Sequence, residues 1–231
     1  MRRFYVARSQ TVLVIITPYT GLNIMTVSRF SSIKAFAFAL AALLSPVCGG
    51  AAMAGQEVAY ASVGDETSVP FGWVEFCQRY KGECGGAGAQ AMDVNLTAKA
   101  MHEIQQVNTL VNHSVEAVSD MDHWGVVDRW DLPFDGKGDC EDYALLKRKI
   151  LIDRGFPRQA LLITVVRDEQ NEGHAILTVK TNSGEYILDN LNDDMKPVSR
   201  VPYRLVKRQS QEDPNVWVAL GPVAPTVVAS R

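Results

Sequence analysis

Apolar positions between residues 97 and 118 recur at steps of three and four: Met101, Ile104, Val107, Val111, Val115 and Val118. That spacing predicts one buried face of an α-helix, and Thr97 is an N-cap type of residue at its start. His102 and His113 fall on this helix and read as surface or packing residues. His123 belongs to the loop that follows, with no partner suggested by pattern. Residues 131–138 (DLPFDGKG) break the periodicity, because Pro133, Asp135-Gly136 and Gly138 are turn formers. Helical signal resumes at Asp139, continues through Leu145, Leu146, Lys149, Ile150 and Ile152, and ends before Gly155 and Pro157. Asp139 stands at the capping position, with Glu141 and Asp142 in the first turn, where acidic groups complement the helix dipole.

Past Pro157 the pattern changes. Leu161–Val166 is a short apolar run rich in branched residues, and residues 168–173 (DEQNEG) form a polar turn. His174–Val179 reads as a second strand, Asn182-Ser183-Gly184 as a tight turn and Glu185–Leu188 as a third strand ending at Asp189-Asn190. Tyr203–Lys207 and Val216–Leu220 read as further strands. Helices followed by hairpin-linked strands predict an α+β domain with an antiparallel sheet.

Residues 1–54 stand apart. They carry five basic side chains and no acidic one, and the apolar stretch AFAFALAALL (35–44) is followed by Ala52-Met53-Ala54. A basic region, a short apolar core and an A-x-A site make a secretory signal, so a periplasmic location is expected. The apolar run is short for an ordinary membrane span, which leaves an uncleaved anchor as the alternative. Met25 would give this signal an ordinary length, with the preceding residues an over-extended start. Cys48 lacks the small residue expected before a lipidated cysteine. The expected organisation is export signal 1–54, flexible mature leader 55–70, folded domain 71–221 and C-terminal tail 222–231.

Without the signal, 177 residues remain, with 18 basic and 26 acidic side chains and a net charge of −8. An acidic domain gains nothing from a phosphate backbone, so a nucleic-acid partner is not expected. Cys77, Cys84 and Cys140 remain, and an odd count in an oxidising compartment implies one pair plus one free thiol. Cys77 and Cys84, bracketing a six-residue loop, are the expected disulfide, against two reduced small hydrophobes or, more weakly, a zinc site.

Cys140 follows a glycine-containing loop and begins a helix. Backbone N–H groups and the helix dipole there favour a thiolate, the reactive form of cysteine. The plainer alternative is a buried structural cysteine. His174 opens a strand after a polar turn, and Asp189 ends the neighbouring strand, so the two should lie side by side. A carboxylate so placed fixes the tautomer and direction of an imidazole. Nucleophile, base and orienting acid in the order Cys140, His174, Asp189 form a constellation for covalent catalysis. Trp124, Trp130 and Tyr143 are candidates to line the cleft or to pack in the core. The Cys140 N–H is a candidate oxyanion donor, with a second expected from the region before Asp131.

The blocks Gly138-Asp139-Cys140-Glu141-Asp142-Tyr143, Gly173-His174-Ala175 and Leu188-Asp189-Asn190 resemble the bacterial transglutaminase-like cysteine proteinases, over roughly Pro70 to Leu220. The resemblance implies a papain-like or transglutaminase-like fold, with the nucleophile at a helix N-terminus packed on the sheet. It also implies catalytic roles for Cys140, His174 and Asp189. Its best-known members are calcium-dependent periplasmic proteases that clip surface adhesins, release biofilm cells and answer to an inner-membrane receptor sensing a cyclic dinucleotide. Asp139 and Glu141 flank the sulfur, and anionic neighbours oppose thiolate formation. A bound Ca²⁺ would cancel that penalty, so these two residues are the expected calcium ligands, against a plain role in capping and the first turn. The expected reaction is peptide-bond hydrolysis of a protein substrate. Glutamine deamidation or acyl transfer by the same machinery is the second enzyme reading, and a silent binding module is the non-enzyme one.

Overall fold

A computed structural model describes residues 58–226. The export segment, with Met25, Cys48 and the A-x-A site, lies outside the described residues. In chain order the elements are β1 (Val58–Thr67), α1 (Phe71–Arg79), α2 (Ala98–Ser114), β2 (Glu116–Ala117), α3 (Asp120–Trp124), β3 (Lys137–Gly138) and α4 (Cys140–Asp153), then β4 (Leu161–Arg167), β5 (Gly173–Thr181), β6 (Gly184–Asp189), β7 (Asn192–Pro197), β8 (Arg204–Gln209) and β9 (Trp217–Thr226). Seven strands form one antiparallel sheet in the order β1-β9-β8-β4-β5-β6-β7. This is the expected α+β architecture, with α4 against the sheet. No helix among the described residues is long and apolar enough to cross a membrane.

The central strands are buried on both faces, so each contributes to two cores. Leu161 and Ile163 of β4, Leu177 and Val179 of β5 and Leu188 of β6 face the helices, where they meet Ile104, Val107 and Val111 of α2 and Leu151 of α4. Val166, Ile176 and Ile187 point to the opposite face and pack with Ala59, Ala61, Val198 and Leu205. The sheet curls so far that its first strand reaches its sixth. Tyr60 Oη donates to the Thr181 carbonyl at 2.9 Å, and the Ala61 N–H donates to Glu185 Oε2 at 2.9 Å. Gly184 permits the approach: its φ is +106°, and a Cβ there would stand 3.2 Å from the Ala59 carbonyl oxygen.

Several boundaries differ from the pattern-based expectation. The segment 55–70, read as a flexible leader, contains β1, which pairs from Val58↔Thr226 to Thr67↔Trp217. Its buried positions are alanines, Ala59 and Ala61, too small to register as a hydrophobic stripe. Its partner β9 runs to Thr226, beyond the expected domain end at residue 221. Strand β7 was not expected because its sequence, NDDMKP, is polar. Helix α2 stops at Ser114, since Val115 turns to extended geometry and Glu116–Ala117 pairs in parallel with Lys137–Gly138. Thr97 does cap α2, accepting from the Ala100 N–H at 3.1 Å. His123 sits in α3 rather than a loop, with Asp135 Oδ2 2.8 Å from its Nε2. Cys77 and Cys84 are joined by a disulfide.

The curled face also encloses an ion pair. Arg208 Nη1 and Glu185 Oε1 are 2.7 Å apart and almost wholly buried. Removing one partner strands a charge in the interior. Arg208→Met should therefore lower the unfolding free energy by about 3–5 kcal/mol in urea titration; a loss under about 1 kcal/mol would show that the pair is better hydrated than its burial implies.

Candidate active site

Cys140 is the first residue of α4, and strand β5 runs directly against it. The Ala175 N–H donates to its Sγ at 3.4 Å, and the thiol donates to Glu141 Oε2 at 3.1 Å. His174, adjacent to Ala175, has Nε2 3.0 Å from Asp189 Oδ1. The β5–β6 ladder pairs Leu177 with Leu188, so Asp189 lies diagonal to His174 rather than opposite it. An aromatic side chain spans that offset. With Nε2 committed to the carboxylate, Nδ1 is the remaining ring nitrogen.

Both sulfur and imidazole open on a cleft of about 280 Å³, lined among others by Pro70, Asp128, Trp130, Val165 and Lys207. Of the three aromatics considered for the cleft, Trp130 lines it. Trp124 is instead partly exposed under the Arg129 guanidinium, and Tyr143 is buried with its hydroxyl donating to the Val115 carbonyl at 2.6 Å. The Trp130 Nε1–H is engaged by Asp128 Oδ1 at 3.0 Å and so is not a free oxyanion donor.

Asp189 is held at both oxygens. Oδ1 also accepts from the Leu191 N–H at 3.1 Å, and Oδ2 accepts from the Tyr203 hydroxyl. Burial raises this carboxyl, but the hydrogen bonds from His174, Tyr203 and Leu191 outweigh it and leave it below the usual carboxylate range. Tyr203 carried no sequence signal beyond membership of a strand.

Around the thiol the charge is one-sided. Asp120, Asp128 and Glu141 have carboxylate oxygens within 4.8 Å of one another, and so do Asp120, Asp139 and Asp142. Asp139 occupies the N-cap position of α4 yet makes no side-chain cap bond, contrary to expectation. Its Oδ2 accepts instead from the Asp120 N–H at 3.3 Å, and its Oδ1 is buried without a hydrogen-bond partner. Asp142 accepts from the Asp131 N–H at 2.7 Å. It can do so because residue 138 is glycine: a Cβ there would fall 2.5 Å from Asp142 Oδ2. Burial, then mutual repulsion, pushes Glu141 up to about 9 and Asp142 up to about 8, and raises Asp120 and Asp139 as well. Burial first and Glu141 second drive the Cys140 thiol well above its ordinary value. Asp139 and Glu141 were the expected cation ligands; they fall in different triads that share Asp120, Glu141 with Asp128 and Asp139 with Asp142. Asp120 and Asp128 precede α4 on a short helix and loop, and no sequence pattern reports that this segment folds back onto the helix start.

A family model of the bacterial transglutaminase-like cysteine proteinases (BTLCP) matches residues 63–224. The chain belongs to this family. The proteinase is thus a cysteine peptidase with a transglutaminase-like fold. Among solved structures it is similar to calcium-bound LapG of Legionella pneumophila, at 28% identity over 52% of this chain and 69% of that one, with a TM-score of 0.46. EGTA-treated LapG of the same organism matches at 26% identity over 52% and 67%, with a TM-score of 0.43. No curated protein matches the chain.

The raised carboxyls of the proteinase give a pH signature. Stability from Glu141 is fully present below about pH 4.5, where folded and unfolded forms are both protonated, and is lost as pH rises to about 9. In chelating buffer, the urea midpoint of the wild type should fall relative to that of Glu141→Gln across that interval. Parallel curves would mean that Glu141 ionises in the folded protein as it does in water.

Proposed function

We propose that this proteinase is an exported hydrolase that cuts a peptide bond of a surface or periplasmic protein through Cys140, His174 and Asp189. The observation that carries the reading is the His174–Asp189 hydrogen bond beside a half-buried thiol, at a helix N-terminus and the floor of an open cleft. Sγ attacks the scissile carbonyl while His174 takes the thiol proton. The Cys140 N–H, at the start of α4, faces the developing oxyanion. His174 then passes its proton to the leaving amine, and the acyl group remains on sulfur as a thioester. Water, deprotonated by the same imidazole, releases the acid and restores the thiol. Asp189 holds the ring in one tautomer and balances its transient charge.

The acidic cluster fits a hard dication. Its donors are carboxylate oxygens, Asp139 Oδ1 lacks any partner, and no described lysine or arginine pairs with Asp120, Asp128, Asp139, Glu141 or Asp142. Ca²⁺ is the ion proposed, held by these side chains. When bound it neutralises the charge that opposes thiolate formation and occupies Glu141, the present acceptor of the thiol proton. Export rests on the basic, apolar and small-residue order of residues 1–54. The resemblance of the motif blocks makes a surface adhesin the candidate substrate and an inner-membrane receptor the candidate regulator.

Surface and periplasmic proteins compared by mass spectrometry between wild type and a Cys140→Ala strain should show fragments only in the wild type. A mass gain of about one unit at glutamine, or a crosslink, with no chain cut would replace hydrolysis by the amide chemistry of the same machinery. Cys140→Ala and His174→Ala should each abolish cleavage in folded protein, whereas Asp189→Ala should leave a weak residue of activity. Chelation should lower both the melting temperature and the alkylation rate of Cys140, and Ca²⁺ should restore them. If neither responds, the cation assignment fails while the peptidase assignment stands.

A further inference from the structure

Beyond Cys140, His174 and Asp189, one side chain touches two of the groups at once. Tyr203 lies in the short connection before β8, its ring centroid 5.3 Å from that of His174 and tilted by 59°. Its hydroxyl donates to Asp189 Oδ2. The other carboxylate oxygen, Oδ1, takes the imidazole and the Leu191 amide. Those two bonds leave the carboxylate free to pivot about Oδ1, because the torsion that turns a carboxylate is soft. A donor on Oδ2 removes that freedom. Asp189 is only 6% exposed, so the loss of this donor weakens its hold more than it would at the surface.

We propose that Tyr203 is a positioning residue: its hydroxyl fixes the plane of the Asp189 carboxylate, and through it the direction in which His174 presents Nδ1 to Cys140. The inference rests on the assignment of those three residues and adds a fourth. Asp189 must accept from the imidazole along a lone pair lying in the carboxylate plane. Rotation of that plane weakens the bond and lets the ring swing. The ring has room to do so, since its far side borders the open cleft. The Tyr203 aromatic face restrains the same ring laterally, and its own edge is anchored in the core that includes Ala59, Ile187 and Leu205. The depressed carboxyl of Asp189, to which Tyr203 contributes, agrees with this role.

The test uses the full chain in Ca²⁺ buffer and needs no substrate. Iodoacetamide is the probe, and the second-order alkylation rate at Cys140 is read by peptide mass spectrometry. Tyr203→Phe keeps the ring and its packing, so its melting temperature should stay within a few degrees of wild type. Loss of a hydrogen bond to a charged group should slow alkylation about tenfold. In an Asp189→Ala background the same change should slow it less than twofold, because the carboxylate it acts through is gone. A merely structural role would give equal losses in both backgrounds. Equal losses, or a Tyr203→Phe protein as reactive as wild type, overturn the proposal while Asp189→Ala remains slow. An Asp189→Ala protein of undiminished reactivity overturns the underlying three-residue assignment and this one together. Should Tyr203→Phe not fold, Tyr203→Gln and Tyr203→Leu decide. They are of similar size and only Gln restores a donor, so Gln should react several-fold faster than Leu, and equal rates refute the role.

Discussion

Five carboxylates, in two triads that share Asp120, gather at the start of α4 beside one thiol, and no lysine or arginine among the described residues forms an ion pair with any of them. Nearly everything local to the cleft follows from how this repulsion is managed. The polypeptide supplies partial relief through backbone donors: the amides of Asp120, Arg129 and Asp131 each bond one of the acids. That relief is incomplete, and the remaining strain appears as protons retained on Glu141 and Asp142 and on the sulfur itself. A helix N-terminus alone would favour a thiolate; here burial and Glu141 reverse the preference. The ionisation of this thiol is therefore conditional on whatever neutralises its neighbours.

The rest of the fold supplies rigidity on the opposite side of the sulfur. Strand β5 carries both the Ala175 amide that touches Sγ and the imidazole beside it, and it is flanked by β4 and β6 in a continuous ladder. Helix α2 grips the turn after Asp189 from beneath: Asn112 Nδ2 donates to the Asp189 carbonyl at 3.0 Å, and Asn108 Nδ2 to those of Asn192 and Asp193 at 2.8 Å. Lys147, one helical face along α4 from Cys140, is fully buried with no hydrogen-bond partner at Nζ. Burial pushes it down to about 7, while Asp189 and Asp193 pull it back up. Asp189 is thus held at its carboxylate by His174, Tyr203 and the Leu191 amide, and at its backbone carbonyl by Asn112.

Much of this was legible in the residues. Helical periodicity placed α2 and α4, short apolar runs bounded by turn chemistry placed β4, β5 and β6, and the order Cys140, His174, Asp189 followed from where those elements begin and end. What was not legible has physical reasons. β1 buries alanines, and their small apolar area leaves no stripe in a hydropathy pattern. β7 is polar because its side chains and carbonyls answer the amides of α2 rather than a core. Asp120 and Asp128 sit on a short helix and loop whose path back to α4 depends on the two-residue parallel ladder between β2 and β3, a tertiary event with no local signature. The same holds for Tyr203, since nothing in a strand-forming tyrosine reports which carboxylate its hydroxyl will meet.

The pairing of β1 with β9 joins the two extremities of the described chain, 168 positions apart at Val58↔Thr226. Such a contact is about as non-local as a domain of this size allows, and closing it comes late and slowly. A nascent chain issuing N-terminus first can assemble helices and the central hairpins, but the curled face stays uncovered until its last strand emerges. Any truncation that removes β9 would take away the strand that joins β1 to β8 and leave both with unpaired backbone edges.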